Sequence, residues 1–248
     1  EPMAFPSLIL KDYNSTPRFD YPREKLVKLI RSFTRLLFRP PAGAGHGVFA
    51  IKFHSQCLFH ADLYREAFPD ASFVFLYRDA IGWTKSVYQM VLKYGSKTQL
   101  TGEDKTSVWS VLSAAEDASY LRPYIDLDAD TLPLEDGIVI GWAWYMEAYN
   151  RMLASGVPFL ALRYNELNQD REASLKRLFA HCGLPVEDVK GGLTAFEADS
   201  QAGTQLSRSI TVERMSEDQV ARARSLLARH PRHGNADRLL ADIYSPAP

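Results

Sequence analysis

This chain has few cysteines, no long apolar runs and almost no net charge. Its 248 residues contain two cysteines, Cys57 and Cys182, which stand far apart and outside any CxxC pattern. Cysteine without a disulfide is usually a buried core residue, so we expect two thiols in a reducing compartment such as the cytoplasm. No apolar stretch approaches the ~20 residues that span a bilayer, so no membrane segment is expected. The net charge of −1 offers no field that would attract nucleic acid.

Two motifs for phosphate and metal chemistry are also missing. The pattern GxxxxGK[ST] does not occur, and the glycine-rich segment 40–47 precedes an apolar segment that resembles a strand. A phosphate-binding loop must instead follow a strand and open a helix, so we interpret this segment as a connector. The six histidines show no spacing typical of a metal site, and His230 and His233 flank Pro231 in a predicted turn. No metal is therefore expected.

The remaining composition favours one globular domain built from helices around a parallel sheet. Hydrophobic residues make up 46% of the chain, which is ordinary for a soluble protein of this size. The segments 48–54, 72–77 and 157–163 are short and apolar on both faces, as in parallel strands covered by helices. Polar loops are predicted over 95–106 and 122–136. Helices are predicted over 22–38, 56–67, 80–94, 107–121, 137–154, 170–182, 216–229 and 235–244.

Two polar residues close the first predicted strand. Lys52 and His54 lie on the same face of a strand, about 7 Å apart at the usual rise, so both can reach one reacting group. A histidine can act as a general base near neutral pH, and a neighbouring lysine can stabilise negative charge on a leaving oxygen. The alternative is a core histidine bonded to the backbone beside a lysine that extends to solvent.

A basic residue directly follows the second predicted strand. Arg78 leaves the strand 72–77, and Ser86 stands eight residues later in the predicted helix. Ligands of parallel α/β sheets bind outside the carboxyl ends of the strands. The guanidinium offers a fork of donors matched to phosphate oxygens, and the serine hydroxyl can donate to the same group. The alternative is a surface ion pair between Arg78 and Asp79, which would contribute little. We therefore predict a phosphate site here.

These two segments resemble the sulfotransferases that use 3′-phosphoadenosine 5′-phosphosulfate (PAPS). The family's lysine–any–histidine at a strand end is similar to Lys52 and His54. Its 3′-phosphate motif, an arginine at a strand end and a serine eight residues later, is similar to Arg78 and Ser86. The interval between the two motifs also fits, and the resemblance extends over about residues 48–190.

A third similarity lies in the segment 157–167, VPFLALRYNEL. It resembles the family's strand followed by a tyrosine–acidic–leucine signature, which puts Tyr164 near the adenine and 3′-phosphate. The family's C-terminal arginine–lysine–glycine loop over the cofactor is not recognisable, and Arg208 is the residue we assign in its place. Asp79 and Ala80 stand where the family usually has asparagine and proline.

The resemblance implies a fold, a reaction and a set of roles. The fold would be an α/β domain of the P-loop nucleotide-hydrolase-like type, a three-layer parallel sheet flanked by helices, over residues 1–248. The reaction would move a sulfuryl group from PAPS to a hydroxyl or amine of a small-molecule acceptor, without metal. His54 would be the base and Lys52 would stabilise the leaving nucleotide, while Arg78 and Ser86 would hold its 3′-phosphate. No nucleic acid or membrane partner is implied.

One family element is not found in the sequence. The N-terminal loop that binds the 5′-phosphosulfate is absent, and Glu1-Pro2 resembles the pair that often follows it in bacterial members. We therefore expect the first strand, this loop and its helix to lie upstream. A catalytically inactive nucleotide-binding or partner-binding module is the alternative on the same scaffold. A nucleotide kinase would need GxxxxGK[ST] and an acidic magnesium ligand, which the strands do not supply.

Overall fold

The computed structural model describes residues 22–37, 48–53, 55–95, 123–124, 127 and 132–234. Two strands, β1 (Phe73–Tyr77) and β2 (Phe159–Arg163), are described, together with short 3₁₀ helices at Ser55–His60 and Val186–Asp188. The α-helices of these residues are α1 (Arg23–Leu37), α2 (Ala61–Ala67), α3 (Ala80–Lys93), α4 (Leu134–Ala154), α5 (Tyr164–Gln169), α6 (Arg171–His181), α7 (Val189–Thr194) and α8 (Glu217–Ala228).

The sheet consists of two parallel strands in the described part of the chain. Phe73 of β1 pairs with Phe159 of β2, and the register continues to Tyr77 opposite Arg163. Both strands fall inside the segments predicted as strands from the sequence. This pairing confirms a parallel α/β arrangement, but the described residues form a small sheet and not the three-layer sheet that was expected.

The prediction of a strand over 48–54 is wrong for residues 48–53, which have no regular structure. Val48 is 74% exposed and Phe49 is 54% exposed, so the apolar side chains of this segment are not covered on both faces. A strand needs a neighbour to take up its backbone hydrogen bonds, and no ladder joins this segment to β1 or β2. The apolar pattern of the sequence does not show whether such a neighbouring strand exists. His54 lies outside the described residues.

The predicted helices that fall in the described residues are confirmed within a few positions, with the first part of 56–67 formed by the 3₁₀ helix Ser55–His60. Some of these helices begin at a side-chain cap. Asp170 accepts a hydrogen bond from the backbone N–H of Ala173 at the start of α6. Ser216 and Gln219 form a reciprocal capping box at the start of α8. The helices predicted over 107–121 and 235–244 lie outside the described residues.

The helix α4 begins earlier than the sequence pattern predicted, and its first turn is not a solvated loop. Glu135 and Asp136 were assigned to the polar segment 122–136, yet they are 2% and 6% exposed. Both carboxylates pair with Arg222 of α8, which approaches Asp136 to 3.1 Å. The positive end of the helix dipole also stabilises acidic residues in the first turn. The contact with a distant arginine explains why these charges are buried.

The core surrounds α4, which packs against α3, α8 and the 3₁₀ helix Ser55–His60. The aromatic residues Trp142, Trp144 and Tyr149 of α4 are all buried. Tyr149 stacks on Phe75 of β1 with ring centroids 4.4 Å apart. Such aromatic pairs stabilise a core beyond the area that they bury. Among the described residues, none of the helices combines the length and apolar character that crossing a membrane requires.

Candidate anion-binding site

The strand register brings together two residues that are far apart in the sequence. Because Tyr77 lies opposite Arg163, the next residues along the two strands, Arg78 and Tyr164, emerge at the same carboxyl edge of the sheet. The guanidinium carbon Cζ of Arg78 lies 3.6 Å from the centroid of the Tyr164 ring. This is a close cation–π contact. It places a fixed positive charge at the position where parallel sheets bind ligands.

The turn that carries Arg78 is fixed by three hydrogen bonds. The indole Nε1–H of Trp142 donates to the carbonyl oxygen of Arg78 at 3.0 Å. Asp79 caps α3, since its Oδ1 accepts the backbone N–H of Gly82 at 2.7 Å. The other oxygen, Oδ2, accepts from the amide of Asn165 at 3.0 Å, which ties this turn to the start of α5.

Gly82 packs closely against that cap. A Cβ atom at this position would lie 2.8 Å from Oδ2 of Asp79, closer than side chains approach one another. Both carboxylate oxygens of Asp79 are used by Gly82 and Asn165, and within the described residues no carboxylate forms an ion pair with Arg78. The surface ion pair considered from the sequence is therefore not what the described residues show.

Ser86 lies on an exposed part of α3. It stands four residues after Gly82 and seven before Lys93, so these three residues share one face of the helix. The Nζ of Lys93 donates to the carbonyl of Ser207 at 2.9 Å. The segment that precedes Arg208 therefore packs against the end of the same helix face on which the Ser86 hydroxyl is exposed.

Arg208 belongs to a loop that Asp199 organises. Its Oδ2 accepts the backbone N–H of Arg208 and the hydroxyl of Ser207, each at 3.1 Å. The backbone N–H groups of Arg208 and Gln201 are the leading cause that lowers the pKa of the Asp199 carboxyl. The side chain of Arg208 is exposed. Neither Asp199 nor Lys93 was singled out from the sequence, because each acts through backbone groups.

The pKa of the Tyr164 phenol depends on the charges at this edge of the sheet. Hydrogen bonding by the side chain of Asn168 is the largest cause that lowers the pKa of the Tyr164 phenol below its usual range. Burial opposes this, while the positive charges of Arg78 and Arg208 act in the same direction as Asn168. The structure therefore brings Arg78, Tyr164 and Arg208 into one electrostatic neighbourhood. The guanidinium of Arg78 beside this aromatic ring can receive a phosphate together with a flat heterocycle.

The predicted catalytic pair is described only in part. Lys52 is exposed in the irregular segment 48–53, and His54 lies outside the described residues. Their roles stay a prediction.

Arg163 is a basic residue that the sequence analysis missed. It ends β2, and its Nε is buried with no hydrogen-bond partner among the described residues. The signal was a charged residue at the end of an otherwise apolar strand, directly before Tyr164.

Comparison with known proteins gives one match. The model of the sulfotransferase family matches residues 24–188, which is well over half of the chain. The matched range contains Lys52, Arg78, Ser86 and Tyr164, whereas Arg208 lies beyond it. No significant match to the chain was found among curated proteins or among solved structures.

Proposed function

Since the chain belongs to the sulfotransferase family, we propose that it transfers a sulfuryl group from PAPS to a hydroxyl or amine of a small-molecule acceptor. The observation that carries this proposal is the contact of Arg78 with Tyr164 at the carboxyl edge of the parallel strands. A guanidinium and an aromatic ring at this edge suit a phosphate beside an adenine ring. We also propose that the whole domain has the three-layer α/β sheet and that the protein is cytoplasmic.

Arg78, Ser86 and Arg208 hold the 3′-phosphate in this proposal, and Tyr164 borders the nucleotide. A guanidinium that lies over an aromatic ring uses its face for that contact, so N–H donors in its plane can bind phosphate oxygens. The bonds from Trp142 and Asp79 hold the turn before the ligand arrives. Binding therefore costs little ordering of this turn.

His54 and Lys52 carry the transfer itself. His54 accepts the proton of the acceptor hydroxyl or amine while the new bond from that atom to sulfur forms. The bond between sulfur and the bridging oxygen of the nucleotide breaks in the same step, and Lys52 stabilises the charge on that oxygen. The exposed position of Lys52 leaves its ammonium group accessible to a bound nucleotide.

A transfer assay tests the reaction. The full-length protein is incubated with PAPS and a panel of small phenols, alcohols and amines, and release of 3′-phosphoadenosine 5′-phosphate is followed by chromatography. We expect acceptor-dependent release, and His54→Ala should lower kcat about 10²–10⁴-fold with nucleotide binding nearly unchanged. Equal loss of turnover and nucleotide binding would contradict the base role.

Arg171→Ala is a matched control for substitutions of Arg78. Arg171 also lies over an aromatic ring, that of Phe196 at 4.9 Å, but it stands at the start of α6 and not at the sheet edge. Its removal should leave the kinetics unchanged. Nucleotide binding without transfer to any acceptor would favour the alternative, an inactive nucleotide-binding module.

A further inference from the structure

A second polar cluster lies where the turn after α8 meets α4. It consists of Glu147 from α4 and of His230 and His233 from the turn. One oxygen or ring nitrogen from each residue lies within 4.8 Å of the others. His230 is 3% exposed and His233 is 4% exposed, so both imidazoles are held away from bulk water. Sequence spacing did not indicate this set, because Glu147 is distant along the chain.

Two ring nitrogens of this cluster lack the hydrogen-bond partners that buried groups normally have. The Nε2 of His233 lies 3.1 Å from Oε1 of Glu147, but without the alignment of a hydrogen bond. The Nε2 of His230 is likewise buried with no hydrogen-bond partner among the described residues. Native proteins seldom leave buried polar atoms unsatisfied, and two such nitrogens beside a carboxylate are the environment of a bound ligand.

The cluster is built by tight packing and not by flexible surface side chains. The two imidazole centroids lie 4.9 Å apart, and the ring of Trp142 meets His233 edge-on at 5.9 Å. At Gly234 a Cβ atom would lie 2.7 Å from the carbonyl oxygen of His230, so the chain folds back closely on itself. Arg232 contacts Oε2 of Glu147 at 3.2 Å, which orients the carboxylate and leaves Oε1 on the side of His233.

We propose that Glu147, His230 and His233 bind one zinc ion. Two imidazole nitrogens and one carboxylate are a donor set that zinc accepts, with a fourth position for water, whereas calcium and magnesium prefer oxygen ligands. Zinc–nitrogen distances are about 2.0–2.1 Å, so ligand atoms on one tetrahedral ion stand about 3.4 Å apart. His233 and Glu147 are already this close, at 3.1 Å, and the His230 nitrogen, which lies within 4.8 Å of both, needs to approach by about 1.4 Å at most.

Binding must also rearrange the His230 ring. Its Nδ1 now accepts the backbone N–H groups of Arg232 at 3.2 Å and His233 at 3.1 Å, so a neutral ring carries its proton on Nε2. A zinc ion at Nε2 takes the place of that proton, which moves to Nδ1 and opens these two long contacts. The turn 230–233 therefore changes on metal binding, and the amide protons of Arg232 and His233 report it.

Zinc itself is the probe for the test. The full-length protein is stripped with a chelator, titrated with zinc, dialysed and analysed for metal, and its melting temperature is measured at each step. We expect one equivalent of zinc and a rise in Tm of about 5–10 °C at a hundredfold excess over Kd. His233→Gln and Glu147→Gln should each weaken binding at least about tenfold. Glu187→Gln, which removes an exposed carboxylate elsewhere, should leave it unchanged.

Two outcomes would overturn the proposal: a folded parent protein that takes up no zinc, or equal uptake by the parent and His233→Gln. Should the variants fail to fold, cobalt substitution of the unaltered chain decides. An intense visible spectrum of four-coordinate cobalt supports the site, and a weak six-coordinate spectrum contradicts it. Because none of these readouts depends on sulfuryl transfer, the zinc site and the proposed reaction stand or fall separately.

Discussion

Arg78 and Tyr164 show how one contact can define a site at the residue scale. Each residue followed a predicted strand, so the sequence could indicate that both stand at strand ends. The sequence could not show that the guanidinium lies over the ring, because this depends on the register of Tyr77 against Arg163. The bonds from Trp142 to the carbonyl of Arg78 and from Asn165 to Asp79 were also beyond sequence reasoning, since they join segments that lie far apart in the chain.

The phenol of Tyr164 provides a direct measurement of the charge at this edge. Its pKa lies below the usual range, with Asn168 as the main cause and Arg78 and Arg208 as further ones. Removing a positive charge disfavours the phenolate, so Arg78→Ala should raise this pKa, and Asn168→Ala should raise it more. A pH titration of the labelled tyrosine ring by NMR measures both shifts.

Arg171→Ala serves as the control in the same titration, because this arginine contacts Phe196 and not Tyr164. An unchanged Tyr164 pKa in Arg78→Ala would mean that the two side chains do not stay in contact in solution.

At the element scale the turn between β1 and α3 determines where the arginine points. Asp79 both caps α3 and binds Asn165, so it joins the two segments that carry Arg78 and Tyr164. Asp79→Ala should lower the free energy of unfolding by about 1–2 kcal/mol, the usual effect of losing an N-cap. It should also weaken binding of 3′-phosphoadenosine 5′-phosphate about tenfold, because the turn loses its anchors.

Asp170→Ala separates these two effects. Asp170 caps α6 by accepting from the N–H of Ala173 at 3.0 Å, so its loss should cost a similar free energy of unfolding. Nucleotide affinity should stay at the parent value in this variant. Urea unfolding and calorimetry on both proteins provide the comparison. Equal nucleotide affinity in Asp79→Ala and Asp170→Ala would refute a positioning role for Asp79.

Sequence reasoning succeeded for elements whose signals are local. The helices predicted from 170 and from 216 begin where Asp170 and Ser216 cap them, because a side-chain cap acts within three residues. It failed for 48–53, whose apolar pattern suits a strand but whose backbone has no partner in β1 or β2. It also failed for Glu135 and Asp136, which fell in the predicted polar loop 122–136, because the sequence does not reveal their contact with Arg222. Both errors concern contacts with distant parts of the chain, absent for 48–53 and present for Glu135 and Asp136.

At the scale of the whole molecule α4 connects the features described above. Its Trp142 holds the carbonyl of Arg78, and the same ring meets His233 of the proposed zinc site. The 3₁₀ helix Ser55–His60 packs on the same helix. His60 at its end is buried, and this burial lowers its pKa to about 4 from an ordinary value of 6.5.

His60 should therefore make stability depend on pH. As the pH falls below about 6.5 the unfolded chain takes up a proton that the buried ring resists, so the stabilisation is complete above that pH and is lost toward pH 4. Between pH 7 and pH 5 the expected loss is about 2 kcal/mol. His60→Gln should remove this part of the pH dependence, as measured by urea unfolding at both pH values.

The difference between parent and variant is the quantity to compare, because Asp136 acts in the opposite direction. Burial raises its pKa to about 6, so its contribution to stability is present at low pH and is lost as the pH rises through 6. The same pH profile in the parent and in His60→Gln would show that His60 titrates normally in the folded protein.

The central claim is that this chain binds the nucleotide of PAPS at the edge formed by Arg78 and Tyr164. Calorimetric titration with 3′-phosphoadenosine 5′-phosphate, on the parent, Arg78→Ala and Arg171→Ala, tests it most directly. Losing a charge-assisted phosphate contact should weaken binding by about 2 kcal/mol in Arg78→Ala, while Arg171→Ala should bind like the parent. Absence of binding by the folded parent, or equal affinity in Arg78→Ala, would contradict the claim.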